Sequence, residues 1–307
     1  MSSTGNSNSP YANWQRRNFI RTGLQATGAL MVLPASGMTD GWFGLLKEYT
    51  VQDVIDIVLK EIPGAPIKDT VDTIKTGSAE QKVTGIVTTM FPTIDVIKEA
   101  IRLRANLIIP HEPVFYNHLD KQNWIENSEV VARKLELLNK HKIAIWRAHD
   151  YWHELHPDGI IHGVVKKAGW EKYYKEGKIL NMPPASVKEL AIHLKAKLGI
   201  RQVRVIGDLS QKCSKIALLP GAWGGWDQIT TLVQDKPDIL IVGEVDEWET
   251  AEYIRDARVL GMNISLIILG HVQSEEPGME WMGGWLQPRV PGINVIHVGS
   301  KDPFVWI

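Results

Sequence analysis

The stretch LIILGHVQSEEPG, residues 266 to 278, carries the two features from which the fold is predicted. Its apolar run from Leu266 to Leu269 has the length and composition of a buried strand, and it ends at Gly270. His271 follows directly, and Glu275 stands four residues further on. In open α/β folds, ligands bind at the carboxyl ends of the strands. The stretch therefore predicts a strand end with two candidate metal ligands, although solvated loop residues are the alternative.

The same arrangement occurs again in IAIWRAHDYWH, residues 143 to 153. An apolar run leads to His149, and His153 follows at the same spacing of four. If Asp150 begins a helix, His149, His153 and His156 share one face, but Pro157 ends that helix at once. We therefore expect one of these imidazoles to orient a ligand by a hydrogen bond instead of binding metal directly.

A third apolar run ends in IIPHEPVF, residues 108 to 115. His111 and Glu112 are adjacent, and in an extended segment they would point in opposite directions. A turn forced by Pro110 and Pro113 would bring both towards one site. The alternative is an ordinary surface turn.

The order of these segments predicts an α/β fold. A β-branched run at residues 82 to 90, a helical pattern after Pro92 and a strand at 105 to 109 form a βαβ unit, which implies parallel strands. A helix at 127 to 140 and a strand at 143 to 146 follow. In the second half, QKCSKIA at 211 to 217 echoes QKVTGIV at 81 to 87, and strands are predicted at 238 to 242 and 266 to 269. A helix is predicted between those two strands, around residues 249 to 260.

We interpret the echo as two similar α/β lobes that arose by internal duplication, with a metal site in the cleft between them. Chance similarity of apolar strands is the alternative. The lobes are placed at residues 38–182 and 183–307, and residues 177 to 185 are predicted to be the linker. The corresponding positions are His111 and Gly243, Glu112 and Glu244, His149 and His271, and His153 and Glu275.

The amino terminus resembles a twin-arginine export signal. Arg16 and Arg17 precede Phe19, then a moderately apolar stretch and a small-residue site near Gly37. The apolar stretch is too short to span a bilayer. Residues 1–37 are therefore predicted to be an export signal, either cleaved or kept as an anchor, and the protein is expected in the periplasm or otherwise exported. A basic, amphipathic start of a cytoplasmic protein is the alternative.

Bulk composition narrows the classes of function. The 307 residues are 44% hydrophobic and 22% charged, which is typical of a globular protein. A formal net charge of −1 offers no basic field for nucleic acid. Cys213 is the only cysteine, so any metal must be held by His, Asp and Glu. Phosphate-loop and Gly-x-Ser-x-Gly motifs are absent, which disfavours those chemistries.

Imidazole and carboxylate ligands favour divalent ions such as Zn, Mn, Fe or Ni. A bridging carboxylate would hold two ions about 3.5 to 4 Å apart, and Glu275 is the candidate bridge. His149 or Asp150 is predicted to transfer the proton.

Three segments together resemble the Nif-three-like dinuclear metal-centre family, whose members are often labelled homologues of a type-two GTP cyclohydrolase. They are IIPHEPVF, AHDYWH at residues 148 to 153, and GHVQSEEPG at 270 to 278; the closing GINVIHVGSKDPF, 292 to 304, is also similar. The resemblance implies a two-lobed α/β fold, toroidal hexamers and two bound metal ions. The implied metal ligands are His111, Glu112, His153, His271 and Glu275.

Three positions depart from the family pattern. Glu112 stands where the family commonly has a second His, His153 where it has Asp, and Trp248 where many members have His. The first two changes exchange ligand types, so the inventory remains three His and two carboxylates.

Two functions remain open on this basis. The first is an exported hydrolase that acts through metal-activated water on a phosphoester, nucleotide or cyclic amide. GTP is the less expected substrate because an exported protein would meet little of it. The second is a non-catalytic metal-binding scaffold or metal-handling protein, in which the coordination can be closed. A lesser third option is a metal-free protein that only binds partners.

Overall fold

The computed structural model describes residues 47–307. The helices are α1 Val51–Leu59, α2 Ile94–Arg102, α3 Glu129–Lys140, α4 Asp150–His153, α5 Gly159–Ala168, α6 Val187–Leu198, α7 Gly224–Asp235, α8 Glu252–Val259 and α9 His271–Leu286. The strands are β1 Ile74–Thr76, β2 Ile86–Thr89, β3 Leu107–Pro110, β4 Ala144–Trp146, β5 Ile179–Ser186, β6 Arg204–Ile206, β7 Lys212–Leu219, β8 Ile239–Val242, β9 Ser265–Ile268 and β10 Val295–His297. Short 3₁₀ turns lie at Glu171–Tyr173 and Gln287–Arg289, and a π-helical turn at Glu247–Ala251 precedes α8.

Two five-stranded sheets organise the fold, which is α/β as predicted. The strand orders are β1-β4-β3-β2-β10 and β5-β7-β8-β9-β6. In the first sheet β2, β3 and β4 are parallel, and in the second β7, β8 and β9 are parallel. All four residues of β2, β3, β8 and β9 are buried, as expected for parallel strands covered on both faces.

The two sheets share a topological core. In each, three parallel strands are connected by two helices, and an antiparallel strand pairs with the third of them: β1 with β4, and β6 with β9. The outer strands differ, because β10 is parallel to β2 whereas β5 is antiparallel to β7. The order therefore agrees with the predicted repeat, while its origin by duplication stays a prediction.

The predicted linker at residues 177 to 185 is wrong for most of its length, because β5 occupies Ile179–Ser186. Pro183 and Pro184 suggested a break in structure. β5 lies at the edge of its sheet, and its register with β7 shifts between Asn181 and Ala185. An edge position with an irregular register tolerates prolines, since their missing N–H groups face no partner strand.

The two sheets are not formed by two consecutive segments of the chain. The boundary drawn at 182/183 falls within β5, and β10, near the end of the chain, lies in the first sheet beside β2. The export signal predicted at residues 1–37 lies outside the described residues. Among the described helices we find none with the length and apolar character needed to cross a bilayer.

Helix α9 connects the two sheets. It begins directly after β9 of the second sheet, and its later residues Met279, Met282 and Leu286 pack in one core with Ile86 and Leu107 of the first sheet. It also crosses α5 closely: a Cβ on Gly163 would lie 2.5 Å from the Gly278 Cα, so a glycine is required there. The first turn of α9 is therefore held between the carboxyl ends of both sheets.

Candidate metal centre

Predicted ligands, and His149 with its predicted proton-transfer role, follow the carboxyl ends of three strands. His111 and Glu112 come directly after β3, His149 begins the turn into α4 after β4, and His271 and Glu275 form the first turns of α9 after β9. Parallel strands end at the same edge of a sheet, so this placement follows from the topology. The alternative that His271 and Glu275 are solvated loop residues is wrong: they lie four residues apart on a helix, and Glu275 is 3% exposed.

Four of the predicted ligands surround one small space. His271 Nε2 lies 3.0 Å from Glu275 Oε2 and 3.1 Å from Glu112 Oε1. His111 Nε2 lies 3.8 Å from the same Glu275 oxygen. Atoms of His111, Glu112 and Glu275 all lie within 4.8 Å of one another, a grouping that could hold a metal ion. Side chains that follow strands of both sheets therefore meet at one place.

A second grouping consists of imidazoles alone. Ligand atoms of His111, His149 and His153 also lie within 4.8 Å of one another. The His111 and His149 rings are stacked with centroids 4.5 Å apart, and His153 meets both edge-on at 5.0 Å. His111 belongs to both groupings, so the two lie side by side.

Each of these three rings is oriented by a hydrogen bond at Nδ1. The bonds run to the Ala148 carbonyl at 3.2 Å for His111, to Asp150 at 2.9 Å for His149 and to Asp158 at 2.9 Å for His153. A histidine that binds metal through one nitrogen usually hydrogen-bonds a carbonyl or carboxylate through the other. The arrangement leaves Nε2 of all three rings for the shared space.

The protonation states of the histidines follow from these surroundings. Burial, and then the neighbouring His149 and His153, hold the pKa of His111 well below its usual value. Burial and His153 lower the pKa of His149 to about 4. Both rings are therefore neutral at pH 7, the form that binds metal.

His153 and His271 behave in the opposite way. Burial opposes their charge, but the bond to Asp158 outweighs it and raises the pKa of His153 to about 9. In the same manner, Glu112, Glu244 and Glu275 raise the pKa of His271 to about 12 against the effect of burial. At pH 7 His271 is therefore an imidazolium between carboxylates, and a cation that binds there must displace its proton.

The carboxylates respond to that imidazolium. Burial raises the pKa of Glu275, although His271 acts against the shift. Burial also opposes ionisation of Glu112, but its hydrogen bond with His271 holds its pKa below the ordinary value.

The donor set fits divalent cations. His111 Nε2 is fully buried and has no hydrogen-bond partner among the described residues. A buried polar atom without a partner is costly and rare in a folded protein. Imidazole nitrogens and carboxylate oxygens that converge on such an atom are suitable ligands for Zn, Mn, Fe or Ni.

Four further residues take part in the site, and the sequence analysis had not assigned them to it. Glu244 Oε2 lies 3.6 Å from His271 Nδ1; its correspondence to Glu112 in the predicted repeat was the available signal. Asp158 orients His153, and Asp72 accepts hydrogen bonds at 2.7 Å from the backbone N–H groups of His149 and Tyr151. The fourth residue is Arg147. No local sequence pattern identifies Asp158, Asp72 or Arg147 as part of the site.

Arg147 is fully buried beneath the turn that carries His111 and Glu112. Its Nε donates to the His111 carbonyl at 3.0 Å, and its Nη1 donates to the carbonyl of His118. Its Nη2 lies 3.4 Å from Glu112 Oε2, on the side of that carboxylate away from His271. This guanidinium explains how adjacent residues on a turn both face the site.

A glycine beside Glu275 leaves room for its carboxylate. Gly221 follows β7 with φ +76°, and a Cβ there would lie 2.1 Å from Glu275 Oε1. The Gly221 N–H also donates to Ser274 at 2.9 Å. Gly221 therefore permits the close approach of the Glu275 carboxylate.

A cavity of about 1110 Å³ opens beside His271. Phe91, Arg201, Glu244 and Phe304 are among the residues that line it. Its size suits a small-molecule ligand next to the metal-binding side chains. Trp248, which stands where many relatives were expected to have His, is 76% exposed on the π-helical turn.

A family model described as Duf34/NIF3 (NGG1p interacting factor 3) matches residues 50–303. The chain belongs to the Duf34/NIF3 family. One relative, a "GTP cyclohydrolase 1 type 2 homolog" of Clostridium perfringens, is 26% identical over 84% of this chain and 99% of its own length.

Two solved structures have the same fold as this chain. The Bacillus cereus protein related to NIF3 has a TM-score of 0.67 at 17% identity, over 85% of this chain and 100% of its own. The protein ybgI, described as of unknown function, has a TM-score of 0.68 at 20% identity, over 83% of this chain and 100% of its own. These comparisons confirm the resemblance noted in the sequence.

Proposed function

We propose that this Duf34/NIF3 protein binds two divalent metal ions and hydrolyses a small molecule, with His111, Glu112, His153, His271 and Glu275 as metal ligands. The observation that carries the proposal is the buried, unpartnered His111 Nε2 beside Glu275, with the other donors around it. When bound, two divalent cations act as Lewis acids and lower the pKa of water towards neutrality.

The chain's own residues supply binding, orientation and a proton path. Glu275 lies close to both His111 and His271, so it is the side chain suited to bridge two cations. Arg147 and Asp158 orient Glu112 and His153 through the groups that face away from the centre. The cavity beside His271 provides room for the substrate.

Proton transfer was predicted for His149 or Asp150. Asp150 bonds His149 Nδ1 and also accepts from the Thr70 hydroxyl and the Val71 N–H at 2.8 and 3.1 Å, so both of its oxygens are engaged. Burial opposes ionisation, but these bonds hold the pKa of Asp150 below its usual value. Asp150 is thus suited to orient His149, and His149 Nε2 is the atom available to a proton or a cation.

The substrate classes to test are phosphoesters, nucleotides and cyclic amides. The names of the curated relatives put GTP in that panel, although the predicted export makes it the less expected member.

The test begins with elemental analysis of the purified, metal-replete protein, followed by the substrate panel. We expect two ions per chain and turnover of at least one class. His271→Ala should bind fewer than two ions and lose activity, whereas His141→Ala, at the exposed end of α3, should match the wild type. Two retained ions without turnover would leave the non-catalytic scaffold, and a chain without bound metal would refute both.

Export and assembly are also part of the proposal. Arg16 and Arg17 support export by the twin-arginine route, and the family resemblance supports a hexamer. Replacement of both arginines by lysine should keep the protein in the cytoplasm, as fractionation would show. Light scattering would measure the oligomer; a monomer would refute the hexamer.

A further inference from the structure

The two groupings of ligands differ in chemistry. One consists of imidazoles from His111, His149 and His153; a Glu275 oxygen lies 3.8 Å from His111 Nε2, and a Glu112 oxygen lies within 4.8 Å of a His111 ring nitrogen. The other places two carboxylates, Glu112 and Glu275, within 3.1 Å of a single imidazole nitrogen on His271. We call these the imidazole-rich and the carboxylate-rich positions.

Each position is maintained by groups that match its character. In the imidazole-rich position all three rings have Nδ1 bonded to a carbonyl or carboxylate, so the three Nε2 atoms are the ones left to bind a cation. In the carboxylate-rich position Glu244 lies near the far nitrogen of His271 and adds a third negative side chain. Arg147 lies on the side of Glu112 away from His271, so it does not occupy the position itself.

Metal ions distinguish such ligand sets. Imidazole suits Zn, Cu, Fe and Ni, while carboxylate suits Mg, Ca and Mn. We infer that the centre is asymmetric: His149 is a metal ligand in an imidazole-rich position that selects a zinc-like ion, and the carboxylate-rich position accepts a harder ion such as Mn²⁺. The inference rests on the proposed two-metal centre and adds a ligand and a metal preference to it.

This assignment changes the role of His149. Its stacking on His111 with a 4.5 Å centroid separation places it beside the unpartnered His111 Nε2. A Nε2 atom that binds a cation does not take a proton at the same time. His149 therefore holds the ion, and Asp150 orients the ligand.

The test asks whether one variant of the full chain loses Zn²⁺ binding alone and another loses Mn²⁺ binding alone, with the two ions used as separate probes. Metal-free protein is titrated calorimetrically with each ion, and the wild type is expected to bind one Zn²⁺ tightly and a second more weakly. His149→Ala and His149→Gln should weaken the tight Zn²⁺ step at least tenfold and leave Mn²⁺ binding within twofold. Glu112→Gln should produce the reverse pattern, and His141→Ala should change neither.

A spectroscopic measurement separates direct ligation from an indirect structural effect. One equivalent of Cu²⁺, which also prefers imidazole, should show electron paramagnetic resonance splitting from three nitrogens in the wild type and from two in His149→Gln. Circular dichroism checks that each variant is folded. The inference is overturned if His149 and Glu112 variants weaken both ions alike, or if His149→Gln keeps the full nitrogen pattern.

The outcomes for this inference and for the hydrolase are separable. A protein that shows the two-ion selectivity but turns over no substrate sinks the hydrolase and keeps the asymmetric centre. A protein that hydrolyses substrate yet binds Zn²⁺ and Mn²⁺ without this selectivity refutes the asymmetric centre and keeps the hydrolase.

Discussion

Replacement of Arg147 by Met is expected to destabilise the metal-free protein by about 3 kcal/mol, because removing one partner from a buried ion pair typically costs about 3 to 5 kcal/mol. Arg147 is fully buried, and its guanidinium donates to two backbone carbonyls and lies near Glu112 and Asp120. A Met side chain has a similar length but no hydrogen-bond donor. The carbonyls and carboxylates that Arg147 contacts would therefore stay buried without that donor.

The lower end of that range follows from what remains after the substitution. Asp120 keeps Lys75 at 3.2 Å, and Glu112 keeps His271 at 3.1 Å. The two carbonyls of His111 and His118 lose a charged donor, and hydrogen bonds to charged groups contribute about 1.5 to 3 kcal/mol each. Arg147→Lys retains the charge but not the planar fork, so it should recover only part of the loss.

The assay is urea unfolding at pH 7 in the presence of a chelator, followed by circular dichroism. The matched control is Arg133→Met, which breaks an exposed pair with Glu129 and should cost less than about 1 kcal/mol. Arg147→Met should also lower metal affinity, because the turn that carries Glu112 is no longer fixed. A loss equal to that of the Arg133 control would refute the reasoning.

Three other changes test separate parts of the structure. Burial lowers the pKa of Lys134 to about 8, although Asp120 opposes the shift. Between about pH 8 and 10.5 the unfolded chain therefore binds a proton that the folded chain does not, and the free energy of unfolding should rise there by roughly 3 kcal/mol relative to Lys134→Met. Urea unfolding at several pH values measures this, and the same pH dependence in both proteins would contradict it. Gly163→Ala should destabilise the protein by about 1 to 3 kcal/mol, because α5 meets α9 there. Gly284 in α9 has open space around it, so Gly284→Ala should stabilise the protein by about 0.5 to 1 kcal/mol. Thermal unfolding measures both. Zn²⁺ at 100 times its Kd should add about 2.7 kcal/mol per site to the metal-free protein and raise its Tm; equal shifts in His271→Ala would argue against binding at this centre.

Local pattern alone was enough to predict the central parallel strands and the residues at their ends. Apolar runs at 105 to 109, 143 to 146 and 266 to 269 correspond to β3, β4 and β9, because parallel strands buried on both faces leave continuous apolar segments. Parallel strands end at one edge of a sheet, so His111, His149 and His271 could be assigned to carboxyl edges before any contact was known. The α/β class and the family resemblance follow from the same segments.

The sequence misassigned β5 because prolines signal a break unless the strand lies at an edge, and edge position is a property of the whole sheet. Likewise, β10 joins β2 across more than 200 positions of sequence, which no local pattern records.

Only the tertiary structure decided which side chains surround each predicted ligand. Arg147, Asp158 and Glu244 act on Glu112, His153 and His271 through space, and their neighbours in sequence give no sign of it. The division into an imidazole-rich and a carboxylate-rich position arises because α9 carries Glu275 from the second sheet to the strand ends of the first. Local residue order specifies which side chains stand at a strand end, whereas the packing of distant elements determines which of them share a cation.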